Sequence, residues 1–177
     1  GRLDVDSLVA AIGPDCALVS VMWANNETGA IHDVAAIGAA CRAHGVPFHV
    51  DAVQAAGKLP IDLRSLPIDM ASFSAHKLHG PKGVGCLYVR RGTPFEPWQR
   101  GGGQEEERRA GTENVLGIVG FGRAAELARR ALDSGFGDRV GRLRDRLEAG
   151  LCAAIPDVRV QGADAPRTPN TTNLRFE

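Results

Sequence analysis

The sequence has no excess of charge of either sign. Twenty-one Lys and Arg residues stand against 21 Asp and Glu over 177 residues, a formal net charge of zero. No whole-chain field is left to draw in nucleic acid or an anionic membrane, so neither is expected as a partner and any bound anion must be held locally. No apolar run approaches the roughly 18 residues that a membrane-crossing helix needs, and no secretory leader pattern is present. The four cysteines, Cys16, Cys41, Cys86 and Cys152, lack the close spacing of a zinc site or a redox CxxC pair. They read as reduced, buried thiols of a cytoplasmic protein. His76 and His79, three apart and without a third ligand, do not make a metal site. Internal repeats and low-complexity segments are also missing. What remains is ordinary: 44% hydrophobic and 24% charged residues, the composition of a globular chain long enough to bury a real core.

Periodicity along the chain predicts alternating strands and helices. Apolar residues at helical spacing run from Asp4 to Ile12 and stop at Gly13-Pro14. Ala17 to Trp23 reads as a buried strand, and the loop Ala24 to Gly29 leads to a helix that Asp33 caps and Gly45 ends. A short strand over Val46 to Val50 delivers Asp51 at its end, and Ala52 to Ala56 has the length of one or two helical turns. Asp69 to Ser74 is a third strand. Gly83 to Arg90 is a fourth, read as antiparallel because a tight turn at Gly80 to Gly83 precedes it. Arg91 to Thr112 reads as irregular. Two long helices follow, Asn114 to Leu132 and Asp138 to Ala154, broken at Ser134-Gly135, and then strands at Val158 to Gln161 and Thr172 to Phe176. This is the grammar of an α/β fold with a mostly parallel sheet. Such sheets bind ligands beyond the C-terminal ends of their strands, and Asn26, Asp51, Ser74, His76 and Lys77 all fall at or just after such ends.

The segment Ser72-Phe-Ser-Ala-His-Lys-Leu-His-Gly-Pro-Lys-Gly83 carries the strongest chemistry. A strand delivers Ser74, His76 and Lys77 into a turn restrained by glycine and proline. A lysine amine with a lowered pKa forms a Schiff base with an aldehyde cofactor, and Ser74 and His76 can donate to a phosphate. Asp51, in His49-Val-Asp-Ala-Val-Gln54, supplies the acid that keeps a pyridine nitrogen protonated. It can also cap the helix that follows it, and could do both. Gln54 lies within reach of a ring hydroxyl.

These residues resemble the cysteine desulfurases, within the class V aminotransferase-like, fold-type I enzymes that use pyridoxal 5'-phosphate (PLP). The resemblance rests on six motifs in order: Trp23 to Gly29, His49 to Gln54, Gly57 to Leu63, Ser72 to Lys77, Gly80 to Gly85, and Gly101 to Glu105 with Arg109 to Asn114. It implies the central part of a fold-type I large domain over residues 1–132 and the start of a smaller C-terminal α+β domain over 133–177. Lys77 would carry the cofactor and remove the substrate α-proton. Asp51 would face the pyridine nitrogen, Gln54 the ring hydroxyl, and Ser74 and His76 the phosphate. Asn26 would lie near the ring hydroxyl and the substrate carboxylate. Thr112 would reach the phosphate of a partner subunit's cofactor, which implies a homodimer. The implied reaction converts L-cysteine to L-alanine and leaves sulfur as an enzyme persulfide for an iron–sulfur scaffold or another sulfur-acceptor protein. Selenocysteine lyase, another class V relative and a non-catalytic fragment are the alternatives.

The resemblance also marks what is missing. The family's sulfur-accepting cysteine has no match here, and Cys86, in the apolar run Gly85 to Val89, reads as a small core residue rather than a substitute. The ring that stacks on the cofactor and the arginine for the substrate carboxylate have no match either. The ends read as those of a central fragment, expected to be inactive alone. Glu106-Glu107 departs from the Arg-Gly of many relatives, and Glu105 to Glu107 reads as a solvated charge run.

Overall fold

The computed structural model describes residues 1–177. Its centre is a four-stranded sheet in the order β1 (Val19–Met22), β2 (Phe48–Asp51), β3 (Met70–Ser74), β4 (Gly85–Val89). The first three strands are parallel, with Met22 opposite Asp51 and Asp51 opposite Ser72, and β4 runs antiparallel to β3. Period-two alternation sets the faces. In β2, Phe48 and Val50 are buried while His49 and Asp51 are half-buried.

The buried face packs against α2 (Val34–His44), whose Val34, Ile37 and Cys41 join Phe48, Val50 and Ile68 in the main core. Helix α2 starts and stops where its end residues allow. Asp33 accepts a hydrogen bond from the Ala36 amide at 3.0 Å, and Gly45 closes the other end in the left-handed region at φ 68°. A short helix, α1 (Val5–Ala10), lies against α2.

Beyond β4 the chain forms a small hairpin, β5 (Gly103–Gln104) with β6 (Arg109–Ala110), inside the segment expected to be irregular. Helices α3 (Val115–Asp133) and α4 (Phe136–Ala154) follow, separated at Gly135 with φ 72°. The last two strands, β7 (Val158–Val160) and β8 (Leu174–Phe176), pair with each other. Between them the chain returns to the β1–α2 loop: the Ile31 amide donates to the Pro166 carbonyl and the Thr168 amide to the Gly29 carbonyl, both at 2.8 Å. No helix is long and apolar enough to cross a membrane.

Two expectations need correction. Residues 53–58 are consecutive turns, with a single helical bond from the Ala56 amide to the Ala52 carbonyl at 2.9 Å, and no helix continues because Gly57 takes φ 70° and redirects the chain. The cysteines are not uniformly buried. Cys41 is, Cys16 is half-buried, and Cys86 and Cys152 are exposed. Cys86 is not a core residue because β4 is the outer strand of the sheet, so its apolar run lines an open groove against α3 with Phe73, Leu78, Leu87 and Phe121. Partial burial there, with Glu105 nearby, pushes the Cys86 thiol up, which keeps it protonated and a poor nucleophile at neutral pH.

Candidate cofactor site

The parallel strands β1, β2 and β3 end at one edge of the sheet, and the ladder continues past their ends. The Trp23 amide donates to the Asp51 carbonyl at 2.9 Å and the Ala52 amide to the Ser72 carbonyl at 3.0 Å. The β1–α2 loop with Asn26, the β2 end with Asp51 and Gln54, and the β3 end with Ser74, His76 and Lys77 are thereby brought to the same edge. Thr112 is not part of this group. It is exposed between β6 and α3, and it does not cap α3, because Asn114 does so itself by accepting from the Gly117 amide at 3.0 Å.

Lys77 sits on a single 3-10 turn, Ala75–Leu78, that grows directly out of β3. Ala75 and Leu78 are buried and hold the turn down, which leaves His76 and Lys77 exposed between them. The turn is closed by the Gly80 amide donating to the Ala75 carbonyl at 2.9 Å, with His79 left-handed at φ 61°. Gly80 suits the close packing there: a Cβ would lie 3.0 Å from both the Ala75 oxygen and the Ala124 Cβ, so a neighbour would have to shift. Ser74 Oγ and His76 Nδ1 are 2.7 Å apart, so a hydroxyl and an imidazole form one unit beside the lysine.

Asp51 is half-buried, and its Oδ1 accepts from the Val53 amide at 2.9 Å. The capping role foreseen for it is therefore real, and it occupies only one carboxylate oxygen. Asn26 is exposed, and its amide donates to Glu27 Oε1 at 2.9 Å. The residue that builds its loop is Asn25, whose Oδ1 accepts from the Glu27 and Thr28 amides at 2.9 Å each.

Two neighbours escaped the sequence reading. His49 Nδ1 lies 2.8 Å from Ser20 Oγ across the β1–β2 pair, and burial pushes its imidazole down against the opposing effect of Asp51. Lys58 donates from Nζ to Gln54 Oε1 at 2.6 Å, and burial, with a smaller contribution from Lys77, pushes its ammonium down. The four-residue spacing of Gln54 and Lys58 was the available signal.

Comparison with known proteins gives the family. The Aminotransferase class-V family profile matches residues 1–177. The chain is 54% identical over 177 residues to a cysteine desulfurase of Enterobacter agglomerans, a match covering all of this chain and 44% of that protein. Among solved structures, a NifS-like protein superposes with a TM-score of 0.91 at 40% identity, over 99% of this chain and 48% of that one. DndA from Streptomyces lividans superposes with a TM-score of 0.88, also at 40% identity, over 98% of this chain and 49% of that one. The chain thus spans less than half the length of each of these relatives. Over its whole length, it belongs to the class-V aminotransferase family.

Proposed function

We propose that the protein carrying this chain is a PLP-dependent cysteine desulfurase, and that the edge formed by β1, β2 and β3 is its cofactor site. The observation that carries the reading is the placement of Lys77 and Asp51 at the ends of adjacent parallel strands, with the Ser74–His76 unit beside the lysine. The unused groups match the polar groups of PLP by chemistry. Asp51 Oδ2 is free to accept from a pyridinium, the Gln54 amide nitrogen can donate to a ring oxygen, Ser74 and His76 can hold a phosphate, and Lys77 is an unpaired amine.

Bound there, the cofactor supplies an electron sink conjugated to the substrate α-carbon. The chain's own contribution is orientation and proton handling. Asp51 would keep a ring nitrogen protonated, Lys77 would serve as the base for the substrate α-proton, and His76, exposed on the same turn, would be available as a proton carrier. Asn26, exposed on the same edge, would be available to the substrate carboxylate. The net reaction consumes L-cysteine and an enzyme thiol and yields L-alanine and an enzyme persulfide, with the sulfur passing to an iron–sulfur scaffold or another acceptor protein.

The reading includes a homodimer in a cytoplasmic setting. Thr112 is exposed, and the neighbouring α3 residues Val115, Leu116 and Val119 are 62%, 87% and 65% exposed. An uncovered apolar helix end beside Thr112 supports a second subunit there.

Alanine release from L-cysteine by the full-length protein tests the proposal. The wild type is expected to release alanine catalytically, and Asp51→Asn to lower kcat/KM by at least about a hundredfold. No alanine release by the wild type, or an unaffected Asp51→Asn variant, would overturn it.

A further inference from the structure

Lys58 has no role in the site as proposed, yet its surroundings are unusual for a lysine. It is half-buried, its ammonium makes no ion pair, and its hydrogen-bond partner is the Gln54 side-chain oxygen at 2.6 Å. A desolvated ammonium normally finds a carboxylate. Asp138 and Asp145 of α4 line the same cleft as Lys58, with Arg142, Arg144 and Arg167 among them. Lys58 turns instead toward an uncharged amide.

The local chain fixes that choice. The Ala55 amide donates to the Ala52 carbonyl, and the Lys58 and Leu59 amides both donate to the Ala55 carbonyl, so residues 52–59 form a hydrogen-bonded run of turns. Gly57 closes it at φ 70°, packed so tightly that a Cβ would sit 2.6 Å from Leu78 Cδ2. Leu78 is the residue after Lys77. The turn that carries Gln54 and Lys58 is thus seated directly on the turn that carries Lys77.

We propose that Lys58 is a positioning residue for the cofactor site, which holds the Gln54 amide by its oxygen and so presents the amide N–H2 as a donor to the cofactor's ring oxygen. The inference rests on the PLP reading of the edge. Its logic is one of valence. An ammonium has donors only, so Gln54 must turn its oxygen to Lys58, and its nitrogen necessarily faces the other way. Without Lys58 the amide could rotate, and a ring oxygen would meet acceptor or donor alike. A donor held in that orientation would steady the ring oxygenate, and so would favour the deprotonated state of the link between Lys77 and the cofactor.

The test is a pH titration of the visible absorbance of cofactor attached to Lys77, in the full-length protein, with equilibrium binding of PLP to the apoprotein as a second readout. Lys58→Met is expected to keep the visible band, to raise its titration midpoint by about half a unit to one unit, and to weaken PLP binding severalfold. Lys58→Arg, which keeps donor and charge, should titrate close to wild type. Gln54→Leu should shift the midpoint upward as well. The Gln54→Leu/Lys58→Met pair should shift it by less than the sum of the single variants, because one interaction is lost in both. Should Lys58→Met fold poorly, Lys58→Ala, which requires no extra space, carries the same expectation. An unshifted midpoint in the Lys58 variants, or full additivity in the pair, would overturn the positioning role and leave the PLP reading standing. A wild-type protein that develops no visible band with PLP would overturn that reading, and this inference with it.

Discussion

At the scale of single residues, the backbone of Glu105, Glu106 and Glu107 carries the clearest local cost. All three are left-handed, at φ 52°, 58° and 64°, and turn the β5–β6 hairpin. A side chain in this region crowds the following carbonyl, a strain of about 1–2 kcal/mol per residue that glycine does not feel. Glu107→Gly is therefore expected to stabilise the protein by roughly 1 kcal/mol in a denaturant melt, after the greater freedom of glycine in the unfolded chain is counted. Arg108, which has no positive φ, is the control: Arg108→Gly should destabilise. Equal effects of the two substitutions would contradict the strain argument. The run of three carboxylates was legible in the sequence as a solvated surface, and it is exposed. Its handedness was not, because charged residues carry no conformational signature of the kind glycine does. The glycine that many relatives place beside Arg at this position was the one hint.

Among the elements, α2 and the turns after β2 show what local signals can and cannot convey. Helix α2 was legible from both ends, since Asp33 and Gly45 act through bonds to residues only a few positions away. Its Gly38 was not. That glycine faces the Pro67 segment, where an added Cβ would lie 2.4 Å from the Pro67 carbonyl oxygen. Gly38→Ala is expected to destabilise by about 1–3 kcal/mol through overpacking, outweighing the roughly 1 kcal/mol gained in helix propensity. A melting temperature at or above wild type would show that the two segments can part at no cost. That the turns over residues 53–58 stop short of a helix was hidden for the same kind of reason: the contact between Gly57 and Leu78 spans 21 positions, and no local pattern announces it. Cys86 is the converse case. An apolar strand reads as buried whether or not a neighbour covers it, and β4 has no further strand beside it.

For the whole molecule, a buried ion pair joins α4 to the C-terminal segment, which in turn bonds to the β1–α2 loop. Arg167 donates twice to Glu148 at 2.7 and 2.8 Å, and Thr172 Oγ1 donates to the same carboxylate at 2.5 Å. The Arg167 and Glu148 side chains are only 9% and 10% exposed. Together with the strand-like bridge between Ala30 and Arg167, and the Asn173 amide donating to the Glu27 carbonyl at 3.3 Å, this clamp ties α4 and the C-terminal segment to the loop that carries Asn26. Removing the carboxylate leaves a buried guanidinium uncompensated, so Glu148→Ala is expected to cost about 3 kcal/mol at pH 7.

The pH dependence has a definite sign. Hydrogen bonds from Arg167 hold the Glu148 carboxyl below its ordinary value of 4.5, with Thr172 adding to this and burial opposing it. The stabilisation is therefore complete above pH 4.5 and is lost as pH falls through the lower folded-state value. The stability gap between wild type and Glu148→Gln should stay constant from pH 7 down to about pH 5 and narrow only in stronger acid. A gap that closes near neutrality would contradict the assignment. None of this was legible in the sequence, where Glu148 and Arg167 stand 19 positions apart without a motif to join them. The site edge was more legible, because Asp51 and Lys77 lie at the ends of strands whose lengths the alternation pattern fixes.

The central claim is that Lys77 carries the cofactor, and one spectrum tests it most directly. Full-length protein incubated with PLP and freed of excess should show the visible absorbance of cofactor bound to a lysine amine, and Lys77→Ala should lose it. A Lys77→Ala variant with the wild-type spectrum would contradict the account.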